Sequence, residues 1–154
     1  MCDYCGCRRS GPTAELAREH EELRELDEAI YDALRAGEDP GDRFPQFVRL
    51  LEMHAVKEEI GLFVHAQTHP ALAGQIDTLC QEHDDLREWL ADGPRGPRVM
   101  DALRLLLTHI DDEEHDLFPH IIHALDPEQW DEIELAHRAV EAVWCDPTEP
   151  QETS

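Results

Sequence analysis

The chain has 154 residues and a formal net charge of −23, because 36 Asp and Glu residues outnumber 13 Lys and Arg residues. A surface this acidic repels phosphate backbones and anionic headgroups, so we expect neither nucleic acid nor a membrane as a partner. The length suits one domain with a single core. The periodic placement of the hydrophobic residues, 41% of the chain, favours a folded protein over a disordered one.

Residues 1–12 form an arm that carries Cys2, Cys5 and Cys7 in a C-x-x-C-x-C pattern. The arm has no apolar stretch of the kind found in signal peptides, and we expect a cytoplasmic protein. In that compartment cysteines serve more often as metal ligands or redox thiols than as disulfides. The three thiols could bind zinc or iron with a fourth ligand from elsewhere, or form a redox pair with a resolving thiol.

Residues 13–125 predict four helices, because apolar residues and histidines recur there every three or four positions. Thr13 suits the N-cap of the first helix, which is expected to stop near Gly37. The other three helices are expected at about 44–68, 71–91 and 98–125. Residues 126–154 predict a short fifth helix and a polar tail. We therefore predict an all-α fold, an up-down four-helix bundle with a short additional C-terminal helix.

One motif occurs twice. Residues 54–65 and residues 109–120 both fit H-x-x-x-E-E-x-x-L-F-x-H. Positions four apart share a helix face, so each copy presents a histidine and a glutamate together. These pairs are His54 with Glu58 and His109 with Glu113. A second repeated motif, E-H-x-x-L, adds one histidine to each of the other two helices, His20 and His83.

These motifs place carboxylates and imidazoles on otherwise apolar helix faces. A buried carboxylate needs either a proton or a cation, and no Lys or Arg lies on the four predicted inward faces. Imidazole and carboxylate together suit iron, manganese or zinc. Hydrogen-bonded core histidines are the alternative, but they give no reason for one inward histidine on each helix. The sequence predicts a two-metal site with six ligands, His20, His54, Glu58, His83, His109 and Glu113.

Glu59 and Glu114 are candidates for additional metal ligands. Each lies five residues after the histidine of its motif, about 140° around the helix. That position faces a neighbouring helix or solvent, unless a kink or a swing of the side chain brings the carboxylate inward. Beyond the metal ligands, no separate catalytic residue is predicted.

His65 and His120 lie eleven residues beyond the first histidines of the two motifs. Eleven residues leave only about 20° of net rotation on an α-helix, so both side chains are expected to face inward. In an up-down bundle they lie beside the start of the first helix, near the cysteine arm. Together with the arm cysteines they are candidates for a second metal or redox site. Otherwise the two histidines bond to each other or to water.

As a set, these motifs resemble the hemerythrin-like, or HHE, cation-binding domains over about residues 13–125. The MCDYCGC opening is similar to a bacterial, especially actinobacterial, subgroup of these proteins. The resemblance implies a non-haem di-iron centre in a four-helix bundle, with two iron ions joined by an oxo or hydroxo bridge. It implies that the imidazoles of His20, His54, His83 and His109 are terminal ligands. It implies that the carboxylates of Glu58 and Glu113 bridge the two ions.

The chain departs from the oxygen-carrying hemerythrins on the third helix. Those proteins have H-x-x-x-H there, whereas this chain has His83 followed by Arg87. A site with fewer imidazoles resembles a reactive or sensing centre more than a reversible carrier. Relatives of the HHE type are associated with peroxide breakdown, nitric oxide handling, iron-centre repair and iron sensing.

The function expected from this resemblance is a di-iron protein that reacts with hydrogen peroxide, dioxygen or nitric oxide in oxidative or nitrosative defence. As an enzyme it would be a catalase-like or nitric-oxide-handling oxidoreductase. Two alternatives stay open: a module that senses or stores iron without turnover, and a structural bundle filled with zinc. The partner is expected to be a small molecule, and the sequence leaves the oligomeric state open, a monomer included.

Overall fold

The structure, a computed structural model, describes residues 7–144, and the side chains of residues 11–144. This part of the chain forms five helices and no strand. In chain order they are α1 (Cys7–Arg35), α2 (Arg43–Lys57, a π-helical turn at Glu58–Leu62, and Phe63–Ala66), α3 (Pro70–Leu90), α4 (Val99–Asp112, a π-helical turn at Glu113–Leu117, and Phe118–Ala124) and α5 (Pro127–Trp144). The predicted all-α bundle with an additional C-terminal helix is confirmed.

The helix boundaries follow the sequence signals with one exception. Gly37 adopts a φ of 74°, and α1 ends two residues before it, as the glycine predicts. The predicted N-cap at Thr13 is wrong, because α1 already begins at Cys7 and includes Pro12. Proline removes one backbone hydrogen bond from a helix, and the burial of Pro12 offsets that loss. Within residues 7–144, no helix has the length and apolar character needed to cross a lipid bilayer.

Two apolar clusters fill the bundle, one on each side of a buried polar layer. On α1, Leu16 belongs to the first cluster and Leu23 to the second. On α3, Leu79 and Leu86 are divided in the same way. A predicted metal ligand lies between the two leucines of each pair, so the ligands occupy a layer with apolar side chains above and below.

The fifth helix is part of the fold. α5 packs against α1 and α2 and buries Trp130, Ile133 and Val140. Gly61, in the π-helical turn of α2, allows the helices to come close, because a Cβ atom there would lie 3.3 Å from Cδ2 of His137. His137 is itself buried in this contact. A larger side chain at residue 61 would therefore push α5 away from the bundle.

The π-helical turns of α2 and α4 follow the ligand pairs and change which residues face inward. A π-helix turns less per residue than an α-helix, so the inward positions beyond it move by about one residue. The buried residues beyond the turns are Phe63 and Ala66 on α2, and Phe118 and Ile121 on α4. The prediction that His120 faces inward is therefore wrong: its side chain is 68% exposed.

Asp27 on α1 provides a test of how burial affects stability. It is 2% exposed, and its Oδ2 atom has no hydrogen-bond partner among the described residues. Burial raises the pKa of this carboxyl from an ordinary value of 3.8 to about 7. The folded protein therefore binds the proton more tightly than the unfolded chain does. Stability is lost as the pH rises from about 4 to about 7 and stays low above that range.

Replacing Asp27 with asparagine is expected to stabilise the protein at pH 8 and to change little at pH 4. Since one pH unit of pKa difference corresponds to about 1.4 kcal/mol, we expect a gain of roughly 2 to 4 kcal/mol. Urea unfolding between pH 4 and pH 8 measures it. Asp32→Asn, an exposed position on the same helix, is the control. An Asp27→Asn effect that does not vary with pH would contradict the assignment.

Candidate metal centre

All six residues predicted as ligands meet in one buried layer at the centre of the bundle. None of them is more than 1% exposed. The ligand atoms form two groups, each within 4.8 Å: His20, His54, Glu58 and Glu113, and Glu58, His83 and His109. The two groups share Glu58, so the geometry describes two adjacent positions for a cation. The layer contains one histidine from each of α1, α2, α3 and α4.

The histidines come together in pairs. Nε2 of His20 lies 3.1 Å from Nε2 of His54, and Nε2 of His83 lies 3.1 Å from Nε2 of His109. Imidazole nitrogens bind an ion such as zinc at about 2.0–2.1 Å, so two ligands at right angles lie about 3 Å apart. Each pair therefore has the spacing of two neighbouring ligands on one ion.

The two glutamates lie between the pairs. Oε1 of Glu58 is 3.4 Å from Nε2 of His54 and 3.1 Å from Nε2 of His83. Oε1 of Glu113 is 3.1 Å from Nε2 of His20 and 3.4 Å from Nε2 of His109. Each carboxylate thus reaches one histidine of each pair, the position of a bridging ligand. The Oε2 atoms of both glutamates are buried and have no hydrogen-bond partner among the described residues.

A second set of carboxylates surrounds the layer, one on the Nδ1 atom of each histidine. The pairs and their distances are His20–Glu114 at 2.8 Å, His54–Glu19 at 2.8 Å, His83–Glu59 at 2.8 Å and His109–Glu82 at 2.9 Å. A carboxylate at Nδ1 accepts a hydrogen bond from the Nδ1–H group, so that the lone pair of Nε2 faces the centre. All four imidazoles are therefore oriented to bind a cation.

Glu59 and Glu114, the candidates for additional metal ligands, take part in this outer set. Their carboxylates lie on the outer nitrogens of His83 and His20 and belong to neither group of converging ligand atoms. The reason is their position around the helix, which turns Glu59 toward α3 and Glu114 toward α1. Sequence reasoning missed Glu19 and Glu82, although both E-H-x-x-L motifs carry this glutamate directly before the histidine.

Arginine or lysine side chains donate hydrogen bonds to three of the four outer carboxylates. Arg24 donates to Glu114 at 2.7 Å, and Arg87 donates to Glu59 at 2.9 and 3.0 Å. Lys57 donates to Glu19 and is only 1% exposed, a buried lysine that the sequence pattern did not reveal. Glu82 has no Lys or Arg partner among the described residues.

The electrostatics of the layer favour positive charge at its centre. Burial acts to lower the pKa of His109, but the charges of Glu113 and Glu58 and the bond to Glu82 raise it to about 10. Burial acts to raise the pKa of Glu58, but the neighbouring His54 holds it well below its ordinary value. Two imidazole nitrogens 3.1 Å apart cannot both carry a proton. Divalent cations satisfy the converging lone pairs more completely than protons do.

The candidate second site is not assembled in the described part of the chain. Cys2 and Cys5 lie outside the described residues, as does the side chain of Cys7, so their metal or redox role stays a prediction. His65 pairs with Glu132 on α5 at 3.2 Å. Nδ1 of His120 lies 3.0 Å from the main-chain carbonyl oxygen of a residue on its own helix. The two histidines therefore have separate partners and do not form a common site.

A comparison with protein families agrees with this geometry. A family model described as Hemerythrin HHE cation binding domain matches residues 11–121, a range that contains all six converging residues. No curated protein and no solved structure matches the chain.

Proposed function

The chain belongs to the hemerythrin HHE cation-binding domain family, and from this premise we propose that it holds two iron ions and reacts with a small oxidant. The oxidant is dioxygen, nitric oxide or hydrogen peroxide. One observation carries the proposal: four imidazole lone pairs and two carboxylates with orphaned oxygens converge in a layer closed off by apolar side chains. A purely structural histidine cluster would not need such a set of donors.

The converging residues divide naturally between two ions. His20 and His54 would hold one ion and His83 and His109 the other, while Glu58 and Glu113 would contact both. Two imidazoles and two carboxylate oxygens leave positions unfilled on an ion that prefers six ligands. Iron bound there would supply these open positions and one-electron chemistry. The same donors also suit manganese and zinc, so the identity of the metal requires a measurement.

The surrounding residues orient the ligands and exclude water. The outer carboxylates fix the histidine rings, and the apolar clusters on either side keep the layer dry. Arg87 occupies the position where oxygen-carrying hemerythrins have a further histidine, and its guanidinium binds Glu52 and Glu59. It contributes no metal ligand. This shortage of imidazoles favours a reactive centre over a reversible carrier, with oxidative or nitrosative defence in the cytoplasm as the proposed role.

The test is to count metals on protein purified without a histidine tag from iron-supplemented cells. Mass spectrometry and visible absorption are recorded before and after addition of peroxide, dioxygen or nitric oxide. We expect two irons per chain, near-ultraviolet charge-transfer bands and a spectral response to the oxidant. Two irons without any response would replace this function with iron sensing or storage. Zinc that iron cannot displace would overturn the iron centre.

A further inference from the structure

A cavity of about 210 Å³ lies between α2 and α3, and His83 forms part of its wall. Most of the remaining wall is apolar, and it includes Leu51, Ala55, Leu86 and Leu90. The volume is several times the ~30 Å³ that one water molecule occupies in the liquid, so a diatomic molecule fits. The cavity thus connects the outer part of the bundle with a residue of the metal layer.

The sequence repeat supplies an internal comparison. In the repeat, His20 corresponds to His83 and His54 corresponds to His109. The face between α1 and α4 is therefore the counterpart of the face between α3 and α2. A cavity also lies on the α1–α4 face, but its lining includes no residue of the metal layer. The position equivalent to Ala55 is Ile110, which is fully buried. The smaller Ala55 lines the cavity that reaches His83, whereas the larger Ile110 and His20 lie outside the lining of the counterpart cavity.

The polarity of the wall selects the occupant. A buried water or a peroxide molecule needs two or more polar partners, and the aliphatic wall between α2 and α3 offers none. Of the charged residues in the lining, Arg87 binds Glu52 at 2.9 and 3.1 Å, and it also binds Glu59 at 2.9 and 3.0 Å. These charged groups are therefore satisfied by one another and leave the interior of the cavity apolar.

We infer that this cavity is the access route and holding site for a small uncharged gas, dioxygen or nitric oxide, which reaches the metal layer at His83. The inference rests on the proposed function and narrows it, because a weakly polar diatomic molecule suits the wall better than peroxide does. The small side chain of Ala55 makes the His83 side of the layer accessible, and not the His20 side. Arg87 acts as a positioning residue, because it binds Glu59, whose carboxylate contacts Nδ1 of His83.

Xenon tests the cavity without reference to reactivity, because xenon binds in apolar cavities. Crystals of the metal-loaded protein under xenon pressure are expected to show xenon beside Ala55. Stopped-flow measurement of the reduced protein with nitric oxide or dioxygen then tests the route. The Ala55→Ile variant copies the residue of the other face. We expect it to lose the xenon site and to react with the gas at about one tenth of the wild-type rate or less, with the metal content unchanged.

Two further variants make the test decisive. Val48→Phe narrows the same cavity from a half-buried position and is expected to act like Ala55→Ile. Leu107→Phe narrows the counterpart cavity and is expected to leave both xenon binding and rate unchanged. Absence of xenon from the wild-type cavity, or wild-type rates in both filled variants, would overturn the inference and leave the proposed function standing. A two-iron protein that reacts with peroxide but with neither gas would overturn the inference alone. A two-iron protein that reacts with none of the three oxidants would overturn the proposed function as well.

Discussion

Replacing His54 with alanine is expected to remove most of the bound metal and to abolish reaction with the oxidant. Nε2 of His54 lies 3.1 Å from that of His20, 3.4 Å from Oε1 of Glu58 and 4.0 Å from Oε1 of Glu113. Its loss leaves one of the two cation positions with a single imidazole. Because even residues that only orient a ligand change metal affinity about 10–100-fold, we expect a loss of at least ~100-fold.

Metal content after dialysis against a chelator measures this effect. His120→Ala is the matched control, because it removes the same side chain from an exposed position outside the layer. The control is expected to retain its metal and its activity. Circular dichroism of both variants confirms that the bundle is folded. Full metal content with wild-type activity in His54→Ala would exclude His54 as a ligand.

Replacing Lys57 with methionine is expected to lower the free energy of unfolding by about 3–5 kcal/mol, the range for breaking a buried ion pair by removing one partner. Nζ of Lys57 lies 2.6 Å from Glu15, 2.5 Å from Glu19 and 2.9 Å from Glu141. Burial acts to lower the pKa of the lysine, but the three carboxylates raise it, so the ammonium stays charged. Methionine would leave the buried Glu19 without a cation.

Urea unfolding of the two proteins in the same metal state gives the difference. Arg138→Met serves for comparison, because it breaks an exposed pair with Glu134 on one helix and is expected to change stability by less than about 1 kcal/mol. Lys57→Arg is expected to recover part of the loss by restoring the charge. Similar small effects for Lys57→Met and Arg138→Met would show that the lysine does not bind α1 and α5 to α2.

The convergence of the six residues in one buried layer could be predicted because they obey ordinary helical spacing. His54 with Glu58 and His109 with Glu113 are four residues apart, and regular α-helix continues up to the residue before each glutamate. The same reasoning failed for His120, since the π-helical turn between it and His109 changes the rotation per residue. Helical periodicity assumes a constant turn angle, so it cannot anticipate a local change of that angle.

The outer carboxylates and the buried lysine were harder to predict for a different reason. A glutamate beside a histidine usually belongs to a solvated helix face, and only the repetition of the E-H motif sets Glu19 and Glu82 apart. Burial of Lys57 depends on Glu15 from α1 and Glu141 from α5, which are distant in sequence. Local patterns carry no information about such contacts, because they arise only when the helices pack.

The pairing of the outer carboxylates with the histidines links the two halves of the chain. His20 on α1 is oriented by Glu114 on α4, and His83 on α3 is oriented by Glu59 on α2. Glu113, also on α4, completes the ligands of the first pair. A chain emerging from the ribosome therefore offers no finished site until its fourth helix has been synthesised. Under the proposed function, metal would therefore be loaded late in the maturation of this protein, and incomplete chains would bind iron poorly.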